Sequence, residues 1–289
     1  MTGEGTAHHV EYERAPDGTE IPLRVFGAEG DKVPLVMLHG LRSHSGWFVQ
    51  SAGFLASLGH PVYSFDRRGF GLSRQTRGHA TRLGDMIEET RTIVDHATRR
   101  HNARRVHLLG HCFGAIPGAV FACCYPDSVA SLILSTPGIH TRGIVTPLEK
   151  VQIALLGFAR PCHRMALRLE ADDLADLEPD RQFIRNDPLS PRDLTAGFYF
   201  EVFRARRYLQ RSRRRLRAPL FMALAGRDRL SDNARNTAFF HRAPSANKRL
   251  KTYPDATHIL EFSREKDAFF QDLADWLHGG YNRDVTHNG

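Results

Sequence analysis

Cysteine is scarce in this chain. Only four occur in 289 residues, Cys112, Cys123, Cys124 and Cys162. Four are too few for a disulfide framework in a chain this long, and the adjacent Cys123 and Cys124 are poorly placed to pair with each other. None stands in a C-x-x-C or His/Cys cluster with ligand spacing, so neither a structural metal nor a cofactor is expected. No apolar run approaches the roughly 20 residues of a membrane span. The stretch from Met1 to Val10 is polar, without the charged-then-apolar build of a secretory signal. No internal repeat is visible. These absences lead us to expect a cytoplasmic protein with reduced thiols, a setting that suits a working cysteine.

What is present fits a soluble enzyme. Hydrophobic residues at 41% and charged residues at 25% place the chain among ordinary globular proteins. Its length allows one large α/β domain carrying an insertion. The net charge of +8 would permit contact with nucleic acid or an anionic surface. The excess is local, however. Arg204, Arg206, Arg207, Arg211, Arg213, Arg214, Arg215 and Arg217 crowd one stretch, while the strand-like segments carry few charges. Charge gathered on one helical segment, without a basic face interleaved with aromatics, argues against nucleic-acid binding.

Read in order, Val10 to Arg14 and Ile21 to Phe26 flank a turn and predict an antiparallel hairpin. Strands are expected at 34–38, 61–65, 106–109, 130–134, 219–225 and 249–253, those at 34–38 and 106–109 buried. Helices are expected at about 47–58, at 83–100, where the apolar positions recur at helical spacing, at 115–124 and at 263–278. Strand and helix in alternation point to a parallel sheet with helices on both faces. The rhythm breaks at Thr136-Pro137-Gly138. From there to about Arg217 the pattern is helical, punctuated by prolines, and shows no clear strand. The expected organisation is a core (1–136), a helical cap (137–217), a second core segment (218–279) and a flexible tail (280–289).

Gly110-His111-Cys112-Phe113-Gly114 joins a buried strand to a buried helix through one tight turn. This is the shape of a G-x-S-x-G nucleophile elbow with cysteine in the middle place. The glycines let neighbouring backbones approach, and the central side chain projects at the carboxyl end of the sheet. Later in the chain Asp228, in Gly226-Arg227-Asp228, and His258, in Ala256-Thr257-His258, each follow an expected strand. Nucleophile, acid and histidine then stand in the chain order of a hydrolase triad, each at the strand end where ligands bind in open α/β sheets. Asp232 competes for the role of the acid but is equally placed to cap the helix that starts near Asn233. The backbone N–H groups of Leu41, after His39-Gly40, and of Phe113 are the candidate oxyanion donors. His111 is read as structural. His39, Trp47, Phe198 and Phe203 are candidate substrate-binding residues in or near the pocket under the cap.

These motifs together resemble the α/β-hydrolase superfamily, and within it the monoacylglycerol-lipase-like, or serine aminopeptidase-like, branch. The resemblance runs through His39-Gly40, Asp66 to Ser73, Arg77-Gly78-His79, Gly110 to Gly114, Ser135-Thr136-Pro137, Gly226-Arg227-Asp228 and Ala256-Thr257-His258. It implies an α/β-hydrolase fold, with a mostly parallel eight-stranded sheet and a helical cap. It also implies that Cys112 is the nucleophile, Asp228 the acid, His258 the base, and Leu41 and Phe113 the oxyanion donors. The stretch from Asp66 to Ser73 is implied to be a structural turn.

Cysteine in place of serine is the departure from that pattern. A thiolate attacks a carbonyl without concerted proton removal and leaves a thioester. The sequence therefore predicts cleavage of an ester, thioester or lactone. The alternative is transfer of the acyl group to an amine, alcohol, thiol or carbon nucleophile, and a third reading is a non-catalytic binding protein on the same fold. The expected partner is a small-molecule acyl substrate, free or carried on coenzyme A or a carrier protein. The protein itself is expected to be a monomer or homodimer. At helical spacing Arg204, Arg207, Arg211 and Arg214 fall on one face, read either as a solvated helix edge or as a dock for an anionic handle.

Overall fold

A computed structural model describes residues 8–79, 82–143 and 145–280. The strands β1 (His8–Arg14) and β2 (Glu20–Phe26) form the antiparallel hairpin, with the turn between them. The short apolar segments β3 (Leu35–Leu38) and β4 (Val62–Phe65) are buried at every position. Between them lies α1 (Val49–Ser57), entered through a 3-10 turn at Ser45–Phe48. The amphipathic α2 (Leu83–Arg100) leads to β5 (Val106–His111), whose six residues are all buried. Next come α3 (Ala115–Cys124) and β6 (Val129–Ser135). Every residue of α3 but Cys124 is buried. Pro117 sits in its first turn, where a missing N–H breaks no helical hydrogen bond.

Between β6 and the next core strand the chain forms α4 (Pro147–Ala159), β7 (Arg164–Ala166), α5 (Ala171–Leu174), α6 (Glu178–Asn186), β8 (Asp193–Thr195) and α7 (Ala196–Ser212). The sequence predicted no strand in this region, yet β7 and β8 pair antiparallel. Strands of three residues are too short to show a period of two, so no alternation betrays them. The core resumes with β9 (Leu220–Ala225), α8 (Asn233–Arg242), β10 (Lys248–Tyr253) and α9 (Lys266–Asp275). Residues 1–7 and 281–289, the latter including most of the expected tail, lie outside the described residues.

One sheet of eight strands runs in the order β1-β2-β4-β3-β5-β6-β9-β10. It is parallel from β4 to β10, and the β1–β2 and β2–β4 pairings are antiparallel. The expected mostly parallel eight-stranded α/β-hydrolase sheet is thus the observed one. The order reverses beside β3 and β5, so a crevice opens at their carboxyl ends. The helical segment packs there. Phe198 of α7 stacks obliquely on Phe70 and Phe113, with ring centroids 5.5 and 5.4 Å apart. Glu201 accepts from the Leu83 N–H at 3.0 Å. On α4, by contrast, Leu148, Val151, Leu155 and Phe158 are all exposed.

Candidate active site

Cys112 follows β5 in the left-handed region, at φ +50°, a conformation that costs a non-glycine residue free energy and marks a site held by its surroundings. The surroundings are tight. A Cβ on Gly114 would lie 2.2 Å from the Leu38 carbonyl oxygen, so the turn after β5 rests directly on the end of β3. His111 turns away from the crevice and stacks on Phe48 at 3.9 Å. Burial, and then the charge of His258, push His111 down to about 3, so this ring is neutral.

Asp228 stands just past β9. Its Oδ1 accepts from the N–H groups of Leu230 and Ser231 at 2.8 and 2.9 Å, and its Oδ2 accepts from His258 Nδ1 at 2.8 Å. Burial opposes the charge on this carboxylate, but His258 and the two backbone donors hold it below its ordinary value. Asp232 does not share the role. It caps α8, accepting from the Arg235 N–H at 3.1 Å.

His258 is sealed from solvent, and its Nε2 has no nitrogen or oxygen partner among the described residues; its neighbour is the Cys112 thiol. Burial would lower its pKa; the Asp228 carboxylate and then the Cys112 sulfur reverse that and hold it well above the usual histidine value. The thiol moves the opposite way. Burial would raise it, but the neighbouring His258 and the Phe113 N–H bring it below the ordinary thiol value.

Leu41 follows the end of β3, and its N–H is without a hydrogen-bond partner among the described residues. A Cβ on the preceding Gly40 would meet the Cys112 Cβ at 3.1 Å, which sets how near this loop passes to Cys112. Arg67 holds the loop from behind. Its guanidinium donates to the carbonyls of His39 and Gly40, the latter at 2.8 Å, and lies 4.8 and 4.9 Å from the ring centres of Phe70 and Phe113. Burial lowers Arg67 to about 9, countered by Glu89. Sequence reading missed Arg67 because it set the stretch from Asp66 to Ser73 aside as a turn. The available signal was an arginine immediately beyond a fully buried strand, a place where a cation needs several acceptors.

A second tie reaches the same loop from the helical segment. Asp187, at the end of α6, accepts from His44 Nε2 at 3.0 Å and Trp47 Nε1 at 2.5 Å. Ser190 donates to the Arg42 carbonyl at 2.7 Å, and Arg42 donates to the Leu169 carbonyl. No sequence pattern announced these contacts.

A void of about 10 Å³ adjoins Cys112, lined also by Leu41, Trp47, Leu174, His258 and Ile259 among others. That is room for about one water molecule. A larger cavity of about 320 Å³ lies beyond Leu41, with Tyr199, Phe203 and Arg206 in its wall. Of the candidate substrate-binding residues, Trp47 and Phe203 thus line cavities. His39 and Phe198 line neither. His39 is buried, with Nδ1 donating to the Gly40 carbonyl and Nε2 accepting from the Arg67 N–H, and burial with the Arg67 charge keeps it neutral. Phe198 is fully buried between Phe70 and Phe113. No group of His, Cys, Asp and Glu among the described residues is arranged to hold a metal.

The arginine run divides. Arg204, Arg207 and Arg211 open on one groove with Tyr208 and Cys124. Arg214 is not among its walls, since α7 stops at Ser212 and the chain tightens into a 3-10 turn at Arg213–Arg215. Arg206 turns inward and donates to the Gly138 carbonyl at 2.8 and 3.1 Å.

Residues 31–266 match the family described as serine aminopeptidase, S33. The chain belongs to this family. It lies in the monoacylglycerol-lipase-like branch of the α/β-hydrolases. This S33 chain is 27% identical to a monoacylglycerol lipase of Mycolicibacterium smegmatis, covering 90% of the chain and 93% of that protein. It is 24% identical to the monoglyceride lipase of Homo sapiens, covering 94% and 93%. Among solved structures, a soluble variant of the Saccharomyces cerevisiae monoglyceride lipase with a substrate analog superposes at a TM-score of 0.85. That match has 19% identity and covers 98% of both chains, which establishes likeness of fold. At the elbow this S33 member carries Cys112 instead of a serine.

Proposed function

We propose that this protein hydrolyses carboxylic esters or thioesters through an acyl-cysteine intermediate, with Cys112, His258 and Asp228 as its triad. One observation carries the reading: His258 is fixed by Asp228 through Nδ1 and interacts with the Cys112 thiol, whose pKa it holds below its ordinary value. The similarity to monoacylglycerol lipases supports an ester as substrate. The exposed apolar stripe of α4 suits the approach of a lipophilic acyl chain.

In the proposed reaction the Cys112 thiolate attacks the carbonyl carbon, and the carbonyl π electrons move to oxygen. The N–H groups of Leu41 and Phe113 receive the oxyanion. As the carbonyl re-forms, the bond to the leaving group breaks and protonated His258 passes it a proton. His258, now neutral, takes a proton from water, and the hydroxide attacks the thioester. Collapse releases the acid and returns the thiolate, beside His258 again protonated. Asp228 keeps the ring oriented and stabilises its charge.

A second reading, transfer of the acyl group to another nucleophile, is favoured by Cys112 itself, because its thioester stays reactive toward amines, alcohols and thiols. Intact mass spectrometry after exposure to a panel of acyl esters and thioesters tests both. An acyl adduct on Cys112, absent in Cys112→Ala, is expected, together with release of free acid. Adduct that partitions mainly to added amine or alcohol replaces hydrolysis with transfer. Turnover undiminished in Cys112→Ala defeats both.

A further inference from the structure

The 320 Å³ cavity next to the oxyanion loop is lined by Lys150 of α4, Arg206 and Arg207 of α7, and Arg235 of α8. Among the described residues no aspartate or glutamate is in its wall, and none of the four cations forms an ion pair, whereas Arg68, Arg100 and Arg185 do. Lys150, Arg207 and Arg235 are exposed and Arg206 is half-buried. The nearby Asp232 is occupied in capping α8.

Arg206 is the informative member. It is half-buried, it donates through Nε and Nη2 to Gly138 and Thr141, and its Nη1 has no acceptor among the described residues. With neutral acceptors for two of its nitrogens and no carboxylate partner among the described residues, this guanidinium keeps Nη1 open to solvent or to an anion. Burial lowers Arg206 to about 10, and the charge it feels is the Cys112 sulfur. The same imbalance reaches His140, held down by burial and then by Arg235 and Arg206. A wall of three guanidinium groups and an ammonium, with a free donor, matches the several oxygens of a phosphate dianion better than a single neutral group.

The cavity and the void at Cys112 share one wall, Leu41. Arg206 grips the carbonyl of Gly138, whose N–H donates to the Cys112 carbonyl at 2.8 Å. A substrate that passes Leu41 would set its handle against these cations while presenting its acyl carbonyl to Cys112.

We propose that this cavity binds a phosphate group of the acyl substrate, through Arg206, Arg207, Arg235 and Lys150, so that the enzyme prefers phosphorylated acyl esters or thioesters. The inference rests on the hydrolase reading for its substrate and on the cavity for its phosphate.

The test compares wild type with an Arg207→Gln/Arg235→Gln double variant. Two substrate pairs share one acyl chain: 1-acylglycerol 3-phosphate against 1-acylglycerol, and acyl-coenzyme A against the acyl N-acetylcysteamine thioester. In one pair the wild type favours the phosphorylated member, and the double variant lowers that kcat/KM ratio by roughly 10- to 100-fold. The pair that responds tells a lipid phosphate from a coenzyme phosphate. A second readout needs no turnover: glycerol 3-phosphate or 4′-phosphopantetheine raises the wild-type Tm, and the double variant loses the shift. Ratios and Tm shifts that ignore both substitutions overturn the phosphate site while leaving hydrolysis standing. A Tm shift that depends on Arg207 and Arg235, with no turnover of any substrate, supports the site and overturns the hydrolase reading.

Discussion

Arg67 donates a 2.8 Å hydrogen bond to the Gly40 carbonyl from a position closed to solvent, wedged between Phe70 and Phe113. The two rings and the two carbonyls of His39 and Gly40 use the planar shape of guanidinium, which an ammonium lacks. Arg67→Lys is therefore expected to slacken the loop that carries Leu41. A displacement near 1 Å at an oxyanion donor costs on the order of 100-fold in rate. Steady-state kinetics should show the loss in kcat with KM little moved. A protein that keeps full kcat would remove Arg67 from the positioning of this loop.

The thiol and imidazole shift in opposite directions, and alkylation can read that. The midpoint of the Cys112 alkylation rate against pH should lie below the roughly 8.5 of a free cysteine. In His258→Gln the stabilising partner is gone and burial remains, so the midpoint should rise above that value. Cys123 offers an internal comparison, since burial pushes its thiol up to about 11. Peptide-level mass spectrometry across pH distinguishes the two sites, and a midpoint unmoved in His258→Gln would contradict the pairing.

Asp187 carries a pH-dependent share of stability. Burial opposes its charge, but donors from His44, Trp47 and Leu189 hold its carboxyl at about 2, from an ordinary 3.8. A depressed acid contributes stability that is present above the unfolded pKa and is lost as pH falls through the folded one. The window is therefore about pH 4 down to about pH 2, and the contribution above it is about 2 kcal/mol. Asp187→Asn should be less stable than wild type at pH 6 and show a flatter acid limb in urea unfolding. Parallel acid limbs would show that the carboxylate has no such role.

Gly114→Ala should be among the most damaging single-methyl changes in the chain. Its Cβ would fall 2.2 Å from a backbone oxygen of β3, and neither β3 nor α3 is free to move. The expected loss is about 3 kcal/mol or more, read from the urea midpoint. Gly143→Ala is a fitting control, because nothing lies near the Cβ it adds, though φ there is +61° and a smaller strain remains.

The resemblance in sequence extended to most of the fold because the signals were local. Runs such as Leu35–Leu38 and Leu220–Ala225 are apolar throughout, as strands covered on both faces must be. The helix from Leu83 to Arg100 repeats at its own period. The order of Cys112, Asp228 and His258 and their places after strands were equally visible, since one residue type at one address suffices. Trp47 and Phe203 reached cavity walls, while His39 and Phe198 became packing, a distinction that depends on side-chain direction and not on aromatic character.

The chain's own order thus determined an alternating α/β core with a cysteine elbow and two partners at later strand ends. Tertiary structure alone decided which groups surround them. It brought Arg67 onto Gly40 across 27 positions, Asp187 onto Trp47 across 140, and Arg206 onto Gly138 across 68. Contacts at such separations leave no periodic trace in a sequence. They arise from packing, where a buried polar group must find whatever partner the fold carries within reach.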